Sequence, residues 1–282
     1  MYCDYWHLTQ PPFESDGDLA RWVETEEAAA VRLKLRYLHE HAKGGGVLVG
    51  AGGVGKSMLV RRLAADIRQA DGDDRRPIVR LVYPRLAPAE LIAQLAVRLG
   101  ADPAATDSQT VGLDRLLDAL AEQLHAATAA GRDAVLILDD AHTIDEPDVW
   151  RTLRLLMNFR EEDGCDFTVV LAGQNELLGR LREHPELLAR LPVRCTLPAM
   201  SRESVGHYVR GRLSSCGRAD DPAAPLFDAA AMATLADLSG GVCRRVNELA
   251  DTALLVGLAD DLTQLSSADL QAAKNELQTP MG

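Results

Sequence analysis

The octet Gly50-Ala-Gly-Gly-Val-Gly-Lys56-Ser57 constrains the fold more than any other stretch of this chain. It follows the apolar run Gly46-Val-Leu-Val49 and precedes a helical pattern that starts at Met58. A strand, a glycine-rich turn and a helix in immediate succession point to a parallel sheet with helices packed on its faces. The octet also matches G-x-x-x-x-G-K-[ST] at every position, the phosphate-binding P-loop. Gly50, Gly52, Gly53 and Gly55 let consecutive N–H groups, those of Val54 and Met58 beside them, turn toward phosphate oxygens where side chains would clash. Lys56 supplies a compact cation for β- and γ-phosphates, the Ser57 hydroxyl suits Mg²⁺, and the helix that follows aims its positive dipole end at the anion. The chain has only four lysines, Lys34, Lys43, Lys56 and Lys274, so one at this spot is not drift. A plain glycine turn is the alternative; the complete match favours a nucleoside triphosphate site.

A chain of 282 residues suits one large domain, or one with a small appendage, and buries an ample core. The net charge of −12 argues against broad binding to nucleic acid or anionic membranes. Cys3, Cys165, Cys195, Cys216 and Cys243 are odd in number and scattered without a C-x-x-C pair. They read as reduced thiols of a cytosolic protein rather than a zinc site. His7, His39, His41, His125, His184 and His207 show no ligand spacing, and Asp16-Gly-Asp18 and Glu24–Glu27 do not follow a calcium loop. No apolar run is long enough to span a membrane, and the N-terminus lacks the pattern of a signal peptide. A cytoplasmic location is expected.

Short apolar runs alternate with helical spacing as far as residue 200. The expected strands are Val47–Val49, Ile78–Tyr83, Ala134–Leu138, Phe167–Leu171 and Val193–Leu197. Helices are expected over Glu24–His41, Met58 to about Gln69, Pro88–Leu99, Leu113–Ala129, Glu146–Arg160 and Glu176–Arg182. Beyond Ser201 only helices follow, near Arg202–Ser214, Asp228–Leu238, Val242–Leu258 and Ser267–Glu276. Asp71–Arg76 reads as a polar break and Asp220–Pro225 as a linker. The pattern predicts an α/β P-loop three-layer αβα sandwich over 1–200 with a five-stranded parallel sheet, followed by a small all-helical lid over 201–282. The aromatic segment 1–23 is expected to pack on the sandwich.

Val135-Leu-Ile-Leu-Asp139-Asp140 is an apolar strand ending in paired acids, the Walker B form. At the end of a buried strand beside a P-loop, Asp139 can orient the water shell of a Mg²⁺ held by Ser57 and the phosphates. Asp140 then stands where a residue polarises the attacking water. An acid pair capping a turn before Ala141-His142-Thr143 is the alternative, weakened by the P-loop upstream.

These motifs give the chain a resemblance to AAA+ ATPases, and within them to the general secretion pathway protein A (ExeA) type and its stand-alone bacterial relatives. Tyr5-Trp-His-Leu with Pro12-Phe13 is similar to that family's opening segment. So are Tyr83-Pro-Arg-Leu-Ala-Pro-Ala-Glu-Leu91, Leu138-Asp-Asp-Ala-His142, Leu171-Ala-Gly-Gln-Asn-Glu-Leu177 and Ser239-Gly-Gly-Val-Cys-Arg244 to later ones. The resemblance implies ATP and Mg²⁺ as cofactors and a homo-oligomer with nucleotide at subunit interfaces. It implies a polar sensor near the γ-phosphate at Gln174, with Asn175 as competitor, and an arginine finger at Arg190, with Arg194 as rival. It further implies a lid arginine that touches nucleotide at Arg244, with Arg245 as the alternative, and adenine-lining residues around Leu19, Trp22 and Val23. His142 replaces the family's Gln as a polar residue at the site's edge. Cys243 stands where the family has proline, which loosens the turn that aims Arg244.

Asp140 stands where the family has Glu. It is one methylene shorter, which draws the carboxylate back by about 1.5 Å, and positioned catalysis is sensitive to shifts of that order. Slow ATP hydrolysis is therefore expected. Three functions remain open: an oligomeric ATPase that remodels a protein partner, a nucleotide-controlled switch with little turnover, and a DNA-associated ATPase of the transposition-helper type. The last needs a basic face, so nucleic acid is the less expected partner. Envelope members of the family carry a membrane span and a peptidoglycan-binding region after the ATPase part. No such segment stands in this sequence, so a stand-alone module is expected.

Overall fold

The computed structural model describes residues 2–14, 17–71, 76–82, 84–162, 164–218 and 224–278. Tyr83, part of the polar break after Asp71, and 220–223 of the expected linker lie outside the described residues. Five strands form one parallel sheet: β1 (Gly45–Val49), β2 (Ile78–Val82), β3 (Ala134–Asp139), β4 (Phe167–Gly173) and β5 (Val193–Thr196). Their order is β2-β3-β4-β1-β5. Every residue of β1, β3 and β4 is buried, as continuous apolar runs require, whereas β2 and β5 at the sheet's edges alternate. The expected strands are therefore found in place, several longer by one or two residues because backbone pairing continues past the apolar run.

The helices are α1 (Tyr2–Tyr5), α2 (Glu26–Glu40), α3 (Lys56–Asp71), α4 (Pro88–Leu99), α5 (Leu113–Ala129) and α6 (Pro147–Glu162). They continue with α7 (Glu176–Arg182), α8 (Pro185–Ala189), α9 (Arg202–Ser215), α10 (Ala229–Ser239), α11 (Cys243–Ala259) and α12 (Ser267–Gln278). Helices α1 and α8 were not expected: at four and five residues they are too short to show a period. Pro185 starts α8, where its missing N–H is not needed.

Contacts divide the chain into two compact units, Val31–Gly50 with Leu59–Leu197, and Met1–Ala30 with Ala51–Met58 and Pro198–Gly282. The boundary thus differs from the expected 1–200 and 201–282. The first unit holds the sheet. On one face, Val47, Leu136, Leu138 and Phe167 pack with Leu91, Leu116, Val149, Leu177 and Leu187 from α4 to α8. On the other face lies α2, so close that a Cβ on Gly46 would stand 2.5 Å from Leu38. Asp66 of α3 joins that layer through Arg32 of α2 at 2.7 Å. This is the three-layer α/β sandwich.

The second unit is built on α9–α12, whose buried Val209, Leu235, Leu249, Leu254 and Leu270 share one apolar cluster. Ser201 and Asp228 cap α9 and α10 by accepting from Ser204 N and Ala231 N. Segment 1–23 was expected against the sandwich; its aromatic side chains instead enter this helical cluster, with Trp6, Leu8 and Phe13 buried there. Trp6 is large and carries a donor, and both needs are met: its Nε1 donates to Leu254 O at 2.9 Å, and Gly257 leaves room for the ring. Arg212, itself buried, ties the segment down by donating to Pro12 O at 2.6 Å and Glu14 O at 2.9 Å.

Candidate nucleotide site

The P-loop lies in the second unit, at the start of α3. Gly53 and Gly55 have φ of +81° and +107°, which only glycine adopts freely. At Gly55 a Cβ would meet nothing within 4 Å, so its glycine is demanded by backbone conformation alone. Lys56 is buried and donates its Nζ to Ala51 O at 2.8 Å, which holds the ammonium on the loop. Lys56, Ser57 and Met58 form the first turn of α3, where N–H groups have no intrahelical acceptor. Ser57 is exposed. Positive-φ glycines, a lysine held at the loop and the first-turn N–H groups of a helix fit a phosphate chain with its divalent cation.

Arg244 reaches this loop from α11. Its N–H donates to Gly53 O at 3.0 Å, and a Cβ on Gly53 would stand 2.9 Å from the Arg244 Cβ. The helix N-terminus is therefore docked on the phosphate loop by its backbone, and the exposed guanidinium starts from there. Among the described residues, the backbone bond from this helix to the loop is made by Arg244 and not by Arg245, which is also exposed. The turn that aims Arg244 does not depend on a proline. Gly240 and Gly241 have φ of +58° and +70°, and a Cβ on Gly241 would stand 2.0 Å from Met200 O. Met200 N donates to Gly241 O at 2.9 Å, and Gly241 N donates to Ser239 Oγ at 3.2 Å. Two glycines and a buried serine fix what Cys243 was expected to loosen. Of the expected adenine-lining residues, Val23 packs against Gly211 of α9, while Leu19 and Trp22 are half-buried about the short 3-10 turn Leu19–Arg21.

The acids belong to the first unit. Sheet register sets Leu138 beside Leu171 and Leu171 beside Val47, so β3, β4 and β1 end together at the carboxyl edge. That edge carries Asp139 and Asp140, Gln174, and Gly50. Asp139 is 1% exposed. Its Oδ1 accepts from Asp140 N at 3.1 Å and its Oδ2 from Arg80 Nη2 at 2.5 Å. Asp140 is left-handed, with φ of +56°, a conformation in which Asp and Asn are enriched over other side-chain-bearing residues. Its carbonyl accepts from Thr143 Oγ1 at 2.7 Å, which closes the 3-10 turn Ala141–Thr143. His142 then lies against Gly173, where a Cβ would stand 3.0 Å from His142 N. Its Nδ1 is 3.9 Å from Asp140 Oδ1, close to the acid but beyond hydrogen-bond reach. His142 thus stands beside Asp140.

Gln174 follows β4 and is half-buried, and Asn175 is exposed at the start of α7 without a side-chain cap bond. Arg190 donates to Asn158 on α6, and Arg194 donates to Leu188 O at 3.2 Å. Both arginines are thus engaged with their own unit. Beside the edge, Asp145 takes Arg85 and Arg180 at 2.7 Å each, and Arg180, the larger influence, holds its carboxyl below the usual range. Arg85 and Asp145 belong to the lining of a cavity of about 240 Å³ formed by 84–87 and 144–146. Arg80 escaped sequence reasoning, although a charge in the middle of Ile78-Val-Arg-Leu-Val82 was a signal that something polar faced it.

Residues 39–181 match the AAA domain family. The chain belongs to that family. It is similar to general secretion pathway protein A of Aeromonas hydrophila, 29% identical over 281 residues, which cover 98% of this chain and 48% of that protein. The chain therefore spans about half the length of that relative. Among solved structures, Cdc6p of Pyrobaculum aerophilum superposes with a TM-score of 0.75 at 14% identity, over 96% of this chain and 72% of that one. The Drosophila ORC bound to DNA gives 0.73 at 15%, over 98% and 66%. The Thermotoga maritima RuvB Holliday junction branch migration motor gives 0.58 at 14%, over 95% and 74%. These likenesses establish the AAA α/β fold with helices after the core. No helix among the described residues is long and apolar enough to cross a membrane, and they hold no cluster of three or more metal-ligating side chains.

Proposed function

We propose that the chain binds ATP with Mg²⁺ and hydrolyses it slowly, to drive or gate a conformational change in an oligomer or a protein partner. The observation that carries this reading is the docking of Arg244 on Gly53, which links a helical lid residue to a complete P-loop. In this reading Gly50, Gly52, Gly53, Val54, Gly55 and Met58 offer backbone to the phosphates, and Lys56 neutralises them. Ser57 and Asp139 hold the cation, which supplies charge neutralisation for the transferring phosphoryl group. Asp140 orients water, Gln174 contacts the γ-phosphate region, and Arg190 would leave Asn158 to serve a neighbouring subunit's nucleotide.

Asp140 sets the rate. Its left-handed backbone suits Asp, and its shorter side chain holds the carboxylate back from the water that Glu would reach. The similarity to general secretion pathway protein A favours a protein as the partner. The net charge of −12 weighs against DNA as that partner, although similar structures include ORC proteins bound to DNA. Measured with purified chain, ATP turnover should be slow but dependent on Mg²⁺, and Lys56→Ala should abolish nucleotide binding. Asp140→Asn should lower turnover by roughly 100-fold or more while leaving binding intact, and Asp140→Glu should raise it. Indifference of turnover to both Asp140 changes would remove Asp140 from the mechanism.

A further inference from the structure

The acid assigned to the cation already has a cation. Asp139 is almost wholly buried, and an ionised carboxylate in that setting is unfavourable unless paired. Arg80 supplies the pair from the neighbouring strand: Val82 lies beside Asp139 in the β2–β3 register and Arg80 beside Ile137, so Arg80 and Asp139 point to the same face, one step apart along the strands. The contact is single-pronged. Nη2 reaches Oδ2 at 2.5 Å, while Arg80 Nε is buried with no partner. A forked arrangement would satisfy both donors and hold the carboxylate more firmly. Nothing else on the strand competes, since Val79 and Leu81 face the apolar core.

We propose that Arg80 is a resident countercation of the metal-binding acid, and that it sets how much Mg²⁺ the site requires. Before metal arrives, the guanidinium pairs with the Asp139 carboxylate and holds it in place. When metal arrives, Asp139 must share its carboxylate between a divalent ion and a fixed positive charge, so Arg80 weakens Mg²⁺ and makes the loaded state sensitive to its concentration. Even screened as in bulk water, a unit charge some ångströms from a divalent ion shifts its affinity by about tenfold, and the lower effective dielectric of a partly buried site enlarges the shift. This inference rests on the proposed nucleotide site and deepens it.

The test is the Mg²⁺ midpoint for binding of a fluorescent ATP analogue, read as binding and independent of turnover, in wild type, Arg80→Gln and Arg80→Lys. Gln keeps a donor for Asp139 without the charge, and should lower the midpoint by about tenfold or more. Lys keeps the charge, and its midpoint should stay within about threefold of wild type. A thermal melt without ligand checks that each variant folds; Mg²⁺ with nucleotide should then stabilise Arg80→Gln more than wild type. An unchanged or raised midpoint in a folded Arg80→Gln variant overturns the inference alone. Failure of wild type to bind the analogue, with or without Mg²⁺, overturns both this inference and the nucleotide reading beneath it.

Discussion

The glycine pair before Arg244 offers a sharp test, because the two residues share a backbone conformation and differ in what surrounds them. Gly240 has φ of +58° with nothing within 4 Å of a Cβ, whereas Gly241 has φ of +70° with Met200 O at 2.0 Å. For Gly240→Ala the cost is the left-handed conformation alone, about 1 to 2 kcal/mol, reduced by roughly 0.4 to 1 kcal/mol through the stiffer unfolded chain. A net loss near 1 kcal/mol follows. Gly241→Ala has the same cost and must also move the Met200 carbonyl by more than an ångström. Overpacking adds about 1 to 3 kcal/mol, and loss of the Met200 N to Gly241 O bond adds about 1 kcal/mol. The total is about 4 kcal/mol. Urea denaturation measures the loss, and hydrogen exchange in α10 and α11 locates it. The Gly241 variant should also bind nucleotide more weakly than the Gly240 variant, since the turn it disturbs aims Arg244. Equal losses for the two variants would refute the reasoning that steric approach, rather than φ, makes Gly241 irreplaceable.

Gly53→Ala should weaken nucleotide binding even where the fold survives, because a Cβ there presses on Arg244 at 2.9 Å; equilibrium binding of a nucleotide analogue checks it. Trp6→Ala should cost about 3 to 5 kcal/mol by emptying a buried site and removing the Nε1 bond to Leu254 O, read by chemical denaturation. Glu27 is pulled two ways: burial raises its pKa, but the bond from Ser201 N, at 2.8 Å, and its other hydrogen bonds outweigh burial and leave it lowered. Its stabilisation is therefore fully present above the unfolded value near 4.5 and is lost as pH falls through the lower folded value. Glu27→Gln should remove that part of the acid dependence in a denaturation series between neutral pH and about pH 3.

The sheet was legible because its central strands, buried along all five to seven residues, are built mainly of apolar ones, a pattern that burial on both faces requires. The P-loop was legible because contact with phosphate restricts residue type at each position. Helix α8 was not, since five residues cannot show a period. Nor was the destination of Trp6 and Phe13: an apolar side chain states that it must be buried, not against which surface. The aromatic segment accordingly went to the helical cluster rather than to the sandwich.

Local sequence specified the chemical groups: a lysine and a serine after a glycine turn, two acids after a buried strand, and an arginine after a glycine pair. Each follows from local chain geometry, which a contiguous motif encodes. Which groups meet was set by the folded chain. Arg244 docks on Gly53 and Arg80 pairs with Asp139 across gaps of 191 and 59 residues in the chain, set by positions in sequence. Such meetings depend on strand order, register and helix packing. Those properties arise from the whole core, and no single segment specifies them.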